Sequence, residues 1–163
     1  DSVMFCLSKG LAAPVGSMLV GSQAFIAKAR RARKLLGGGM RQAGILAAAG
    51  LLSIRTMVDR LAEDHENARA LGRGLNEIPG LQVDMATVQT NMVMFDILDD
   101  RWDAEQLSGV MVKAGVLAGA TGPRRVRLVT HKDVDAADCA EALDRIARVL
   151  KAGPDAGAAG FVY

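Results

Sequence analysis

The sequence predicts an α/β protein whose back part is a small two-layer α+β domain. Apolar runs with period two, such as "TNMVMFDI" and "RRVRLVT", alternate with stretches in which apolar residues recur every three or four positions. In the back part the order helix-strand-strand-helix-strand-helix suits one sheet covered by helices. The third observation is bulk. The chain has 163 residues, half of them hydrophobic, which is enough to bury a core and excludes a disordered tail.

The front elements follow from short signals. Val3 to Leu7 reads as a buried strand and "MLVGS" from Met18 as a second, with Gly10, Pro14, Gly16 and Gly21 punctuating the pair. Ser22 is an N-cap for a helix to about Leu36, with Phe25, Ile26, Ala29 and Ala32 inward. Arg30, Arg31, Arg33 and Lys34 in its second half suit the negative end of the helix dipole. Gly37 to Gly39 predicts a loop, since three glycines make a poor helix interior. From Met40 an alanine-rich helix runs to the low fifties, apolar almost all round and therefore expected to be buried.

A second amphipathic helix carries Met57, Leu61, Ala68, Leu71, Leu75 and Ile78 at helical spacing, and Pro79-Gly80 ends it. "LQVDMATV" and "TNMVMFDI" read as two strands around a turn. Asp103 caps a helix through Ala114 with Ala104, Leu107, Met111 and Ala114 on one face. "RRVRLVT" reads as a strand, and Asp135 caps a last helix with Cys139, Leu143, Ile146 and Leu150 inward. The tail "KAGPDAGAAGFVY" is rich in Gly and Ala and reads as loose, with Phe161 and Tyr163 as its docking candidates.

Several classes of function fall away. Twenty basic against 18 acidic residues give a net charge of +2, which argues against a general polyanion binder. One Tyr and one Trp, without aromatic interleaving, leave nothing for nucleic-acid bases to stack on. The longest apolar stretch, Gly44 to Ile54, is too short for a bilayer, which takes ~20 residues. No export signal is visible, and Cys6 and Cys139 lack the paired spacing of zinc or redox sites; both points suit a reducing cytoplasm. Asp1 is not Met and the first segment already reads as a strand, so the chain is expected to be the back part of a longer protein.

Three places carry chemistry. Lys9 sits alone among small and apolar residues in "CLSKGLAAPVG". A lysine is a nucleophile only when neutral; apolar surroundings favour that form and suit a Schiff-base former, whereas a strand-end lysine in water is the plain alternative. "RKLLGGGMRQ" joins a cationic helix end, a glycine loop and Arg41 near a helix start. Backbone N–H groups there can approach an anion, although a solvated basic face reads equally well. In "RRVRLVT" the period of two puts Arg125, Arg127 and Val129 on one face. An inward arginine needs an anion, and its fork fits a carboxylate; Arg125, or a surface cation, are the alternatives. His131 is read as a loop-holding residue with an acid–base role as the alternative, His65 as solvated, and Met92 and Met94 as core filler.

"DSVMFCLSKGLAAPVGSMLVGS", followed by "ARRARKLLGGGMRQAGILAAAGL" and later by "VRLVTHKDV", resembles the threonine aldolases, fold-type-I enzymes dependent on pyridoxal 5′-phosphate. The resemblance covers most of the chain from Asp1 to about Leu150. It implies that 1–54 is the end of the large cofactor-binding domain, 55–151 the small α+β domain and 152–163 a flexible tail. Lys9 is then the residue that bonds the cofactor, and Lys34 and Arg41 lie on the phosphate side in a loop reaching a neighbouring subunit. Arg127 binds the substrate α-carboxylate. The implied activity is cleavage of L-threonine or L-allo-threonine to glycine and an aldehyde, by a dimer or tetramer with no metal requirement. The ring-stacking group, the ring-nitrogen aspartate and a further substrate-binding arginine belong to a part that would precede Asp1. The chain alone is therefore expected to turn over little or no substrate.

Overall fold

The computed structural model describes residues 1–154. They divide into two compact units, Asp1–Leu61 and a second from Ala62 onward.

In the first unit β1 (Ser2–Cys6) and β2 (Ser17–Gly21) form an antiparallel ladder, Ser2 opposite Gly21 and Cys6 opposite Ser17. Ser22 caps α1 (Gln23–Leu35) by accepting the Phe25 N–H at 3.3 Å, as its hydroxyl predicts. The alanine-rich helix α2 spans Gly44–Thr56, starting later than Met40, and its N-cap Ala43 makes no side-chain cap hydrogen bond. Met57 ends it, and a turn over 58–60 precedes α3.

Three expectations fail in this unit. The β1–β2 ladder is not buried: Val3 and Met4 are 63% and 62% exposed. Helix α2 buries only Gly50 and Ser53, while Ile45, Leu51 and Leu52 stand exposed. An apolar pattern registers a demand for cover; it does not supply the covering surface. Likewise, no residue of α1 is buried; Ile26 and Ala29 are half-buried and Ala32 is exposed. The unit's buried cluster is Leu7, Leu11 and Ala13, with Phe5, Met57 and Leu61 packed against it.

The second unit is a four-stranded antiparallel sheet in the order β3-β4-β6-β5, built from β3 (Leu81–Gln82), β4 (Met92–Ile97), β5 (Gly119–Gly122) and β6 (Arg125–Val129). Helices α3 (Leu61–Asn76), α4 (Ala104–Lys113) and α5 (Ala136–Ala152) bury one face of it. Val93, Phe95, Ile97, Val126 and Leu128 from the strands meet Leu71, Leu75, Leu107, Met111, Ile146 and Val149 from the helices. Asp103 and Asp135 each close a full capping box, with Gln106 and Asp138, which accounts for the start of α4 and α5.

The sequence and the structure part at three points here. Only Leu81 and Gln82 of "LQVDMATV" pair as a strand; Asp84 then caps a single 3₁₀ turn, Met85–Thr87. Strand β5, "GATG", is an addition: it pairs through its backbone across a bulge between Ala120 and Gly122, and its side chains carry no strand signal. Met92 and Met94 are not core filler; they lie on the uncovered side of β4, exposed and half-buried. Helix α5 continues through Ala152, and Phe161 and Tyr163 lie outside the described residues.

Candidate functional site

In the first unit the candidate lysine, Lys9, sits on the connection from β1 to β2. Leaving β1, the chain folds back through three main-chain hydrogen bonds. Leu7 N–H donates to Gly16 C=O at 2.9 Å, Ala12 N–H to Lys9 C=O at 2.8 Å, and Ala13 N–H to Leu7 C=O at 2.9 Å. Lys9 therefore opens a four-residue turn closed by Ala12. Ala12 has φ 57°, a left-handed conformation that an alanine adopts at a cost of roughly 1–2 kcal/mol. Gly10 packs close to Leu61: a Cβ there would stand 2.8 Å from Leu61 Cδ2, the tip of a side chain that would have to shift. Leu7, Leu11 and Ala13 anchor the loop inward while the Lys9 side chain is exposed. The apolar surroundings expected for its amine are thus confined to one side, the floor of the loop.

The glycine loop follows α1. Leu36 and Gly38 N–H groups close the helix end on Ala32 and Arg33 carbonyls, and Gly37 has φ 82°, a left-handed position that favours glycine. The loop folds onto the Lys34 stem, since a Cβ on Gly39 would lie 2.8 Å from Lys34 Cδ. Lys34 and Arg41 are exposed. Among the described residues, no hydrogen bond or ion pair engages the side chains of Lys9, Lys34 or Arg41.

In the second unit the run "RRVR" resolves into three different arginines. Arg124 is engaged from every side: its Nε donates to Ile97 C=O, its Nη1 to Trp102 C=O, both at 3.0 Å, and its Nη2 to Asp100 at 3.2 Å. Arg125 forks onto Asp96, Nε to Oδ1 at 2.6 Å and Nη2 to Oδ2 at 2.7 Å. The Asp96 carboxyl is held below the usual aspartate range, chiefly by those hydrogen bonds. Arg127, one pleat on and on the same face, has no acidic or hydrogen-bonding partner among the described residues. It faces Met94 on β4 and Gly119 on β5 in register, and a Cβ on Gly119 would meet nothing within 4 Å, so open space flanks the arginine. The arginine expected to point inward lies instead on the uncovered face of the sheet.

His131 fulfils a loop-holding role: its Nδ1 accepts the Asp133 N–H at 3.3 Å. A cavity of about 450 Å³ in this unit, lined by Leu71, Val116, Leu128, Cys139 and Arg145 among others, includes none of the four candidate cations. Its Glu141 is taken by Arg145 and its Asp138 by the α5 cap. Sequence reasoning missed Asp96. The signal is available only through register, because Asp96 and Arg125 stand opposite each other across β4 and β6 while lying 29 positions apart in the chain.

Among the described residues no group of His, Cys, Asp and Glu side chains is placed to hold a metal ion, and no helix is long and apolar enough to cross a membrane. What the geometry offers is an exposed amine on a rigid loop, two cations around a glycine turn, and one unengaged guanidinium beside open space. Comparisons with known proteins bear on that set. The chain is 46% identical over 139 residues to low-specificity L-threonine aldolase 1 of Arabidopsis thaliana, which covers 85% of this chain and 39% of the relative. It is 45% identical over 141 residues to the low specificity L-threonine aldolase of Escherichia coli K12, covering 86% of this chain and 40% of that protein. The chain thus spans about two fifths of the length of the curated relatives it matches. A solved PLP-dependent aminotransferase of Streptococcus suis superposes over 92% of this chain and 41% of its own, at a TM-score of 0.71 and 18% identity, which shows a shared fold. The family model described as beta-eliminating lyase matches residues 1–98, a stretch that holds the Lys9 loop, the glycine turn and β4. On that match, over more than half its length, the chain belongs to the beta-eliminating lyase family.

Proposed function

We propose that this chain is the lysine-bearing end of the large domain and the small domain of a pyridoxal-phosphate-dependent aldehyde-lyase. Its substrates are L-threonine and L-allo-threonine, cleaved to glycine and acetaldehyde. The observation that carries this reading is the Lys9 loop, an exposed amine without a partner among the described residues on a backbone locked by three hydrogen bonds. The identity to threonine aldolases over 139 and 141 residues supports the substrate class, and the family model's match includes this loop.

The residues present fit such a group. An aldehyde needs a primary amine that no carboxylate has claimed, and Lys9 is one. A phosphate needs cations, and Lys34 and Arg41 offer them on either side of a glycine turn whose Gly37 and Gly38 N–H groups already close the end of α1. Pyridoxal phosphate, when bound, supplies the carbonyl that the amine bonds and a ring that accepts the electron pair released as Cα–Cβ breaks. Arg127 grips the substrate α-carboxylate through its guanidinium fork. A two-point grip fixes rotation about Cα, and that orientation decides which of its bonds is cleaved. Engagement of Arg124 and Arg125 elsewhere supports Arg127 over its neighbours for this task.

The proposal includes a homo-oligomer, dimer or tetramer, in which Lys34 and Arg41 serve a neighbouring subunit, and a reducing cytoplasm, supported by two free cysteines. The family model favours one second reading, a β-eliminating lyase of the same fold. Turnover of threonine and allo-threonine against tyrosine and cysteine separates the two.

The test uses the complete protein that carries this sequence. Lys9→Ala is expected to lose both the visible absorbance of bound cofactor and threonine cleavage; survival of both overturns the reading. Arg127→Gln is expected to lower kcat/KM for threonine by roughly 30-fold or more, the equivalent of ~2 kcal/mol for a truncated charge pair, while cofactor absorbance stays. The 163-residue chain by itself is expected to bind cofactor weakly, as read by absorbance after its addition.

A further inference from the structure

Two guanidinium groups on one strand face, one pleat apart, would both attract a carboxylate. Successive residues on one face of a strand are separated by about 7 Å, so a small anion near either feels both charges. Here one of the two is occupied. Asp96 stands directly opposite Arg125 in the β4–β6 register and takes its Nε and Nη2 at 2.6 and 2.7 Å. Arg127 stands opposite Met94, which carries no charge, and beside the open space at Gly119.

We propose that Asp96 is a positioning residue for carboxylate recognition: by occupying Arg125 it leaves Arg127 as the single guanidinium on this face to which an α-amino carboxylate binds. The inference rests on the reading of Arg127 as the carboxylate anchor and deepens it. The acid does not touch substrate. It acts through Arg125, cancelling a competing charge and turning one edge of its fork away from the ligand. Without it a carboxylate would be shared between two anchors, and the rotational control that a lone fork exerts would be lost. Affinity for the anion would hold or rise, since the face gains a positive charge, while productive orientation would fall. A pair that served only to tie β4 to β6 would have neither effect.

The experiment follows the arginine side-chain N–H resonances of the full 163-residue chain by NMR during titration with L-threonine, with sodium chloride at matched ionic strength as the control. In the unsubstituted chain Arg127 Nε–H is expected to shift while Arg125 Nε–H stays. In Asp96→Asn, which keeps the side-chain shape, Arg125 is expected to move by an amount comparable to Arg127. In Asp96→Asn with Arg125→Gln the response is expected to return to Arg127 alone, a rescue that a merely structural ion pair would not show. An Arg125 that stays silent in Asp96→Asn, while Arg127 responds, overturns the inference and leaves the anchor standing. An Arg127 that stays silent in the unsubstituted chain removes the anchor, and the inference with it. In the complete protein the matching signature is a fall in kcat for threonine in Asp96→Asn with KM unchanged or lowered.

Discussion

The two units spend their apolar residues in opposite ways. The second collects its own into one cluster, from Ala68 in α3 to Leu150 in α5, with Phe95, Leu75, Leu107 and Ile146 fully enclosed. The first encloses Leu7, Leu11 and Ala13 and displays Val3, Met4, Leu36, Met40, Ile45 and Leu52. The difference teaches where stability resides. The second unit has the makings of an independent folding unit, whereas the first spends its small buried cluster on holding one loop, the one that bears Lys9.

The largest expected effect is on the second unit's core. Phe95→Ala should cost about 3–5 kcal/mol by chemical denaturation, because β4 contributes its ring to the middle of the cluster. Val3→Ala, on the displayed side of β1, should stay within about 0.5 kcal/mol. Equal losses at the two sites would break the comparison.

Next in size is thiol accessibility, which places one reporter in each unit. Cys139 is buried on α5, and its ionisation is pushed up by desolvation first and then by Asp138 and Asp135. Cys6 is half-buried at the end of β1, where its sulfur accepts from Ser17 Oγ at 3.7 Å. A disulfide reagent at neutral pH should label Cys6 on the order of a hundred times faster than Cys139 in the folded chain. Comparable rates would mean that the second unit opens as readily as the first.

The smallest effect is a pH dependence in the second unit. Arg125 lowers the Asp96 ionisation, so the pair's contribution is present above the ordinary aspartate range and fades as pH falls through the depressed value. Both partners are substantially exposed, which keeps the term small. The stability difference between the unsubstituted chain and Asp96→Asn should be largest above about pH 5 and vanish toward strong acid. A difference that grew on acidification would contradict the pairing.

Much of this was legible in the chain itself. Ser22, Asp103 and Asp135 announced three helix starts because a capping side chain acts on the next three residues and needs no tertiary context. The inward residues of α4, and Cys139, Ile146 and Leu150 of α5, followed from spacing, whereas Val149 is buried without having been expected and Leu143 is half-buried. Three things were not legible. Strand β5 pairs by backbone, so its glycines and threonine carry no apolar signal. The exposure of β1 and α2 depends on what covers them, which no periodicity encodes. The engagement of Arg125 depends on the register of two strands brought together from distant positions. Among the candidate residues, Lys9 and the pair Arg125 and Arg127 could be singled out in sequence, whereas the engagement of Arg125 by Asp96 is visible only in the fold.

The turn at Lys9 has one more consequence. Holding Leu7, Lys9, Ala12 and Ala13 by main-chain bonds, with Ala12 in its left-handed state, means that the backbone disorder of this stretch is already surrendered when the unit folds. That surrender is worth about 1–2 kcal/mol per residue. A molecule that captures the terminal nitrogen has only the side-chain torsions left to quiet. Entropy lost once, at folding, is not lost again at each encounter.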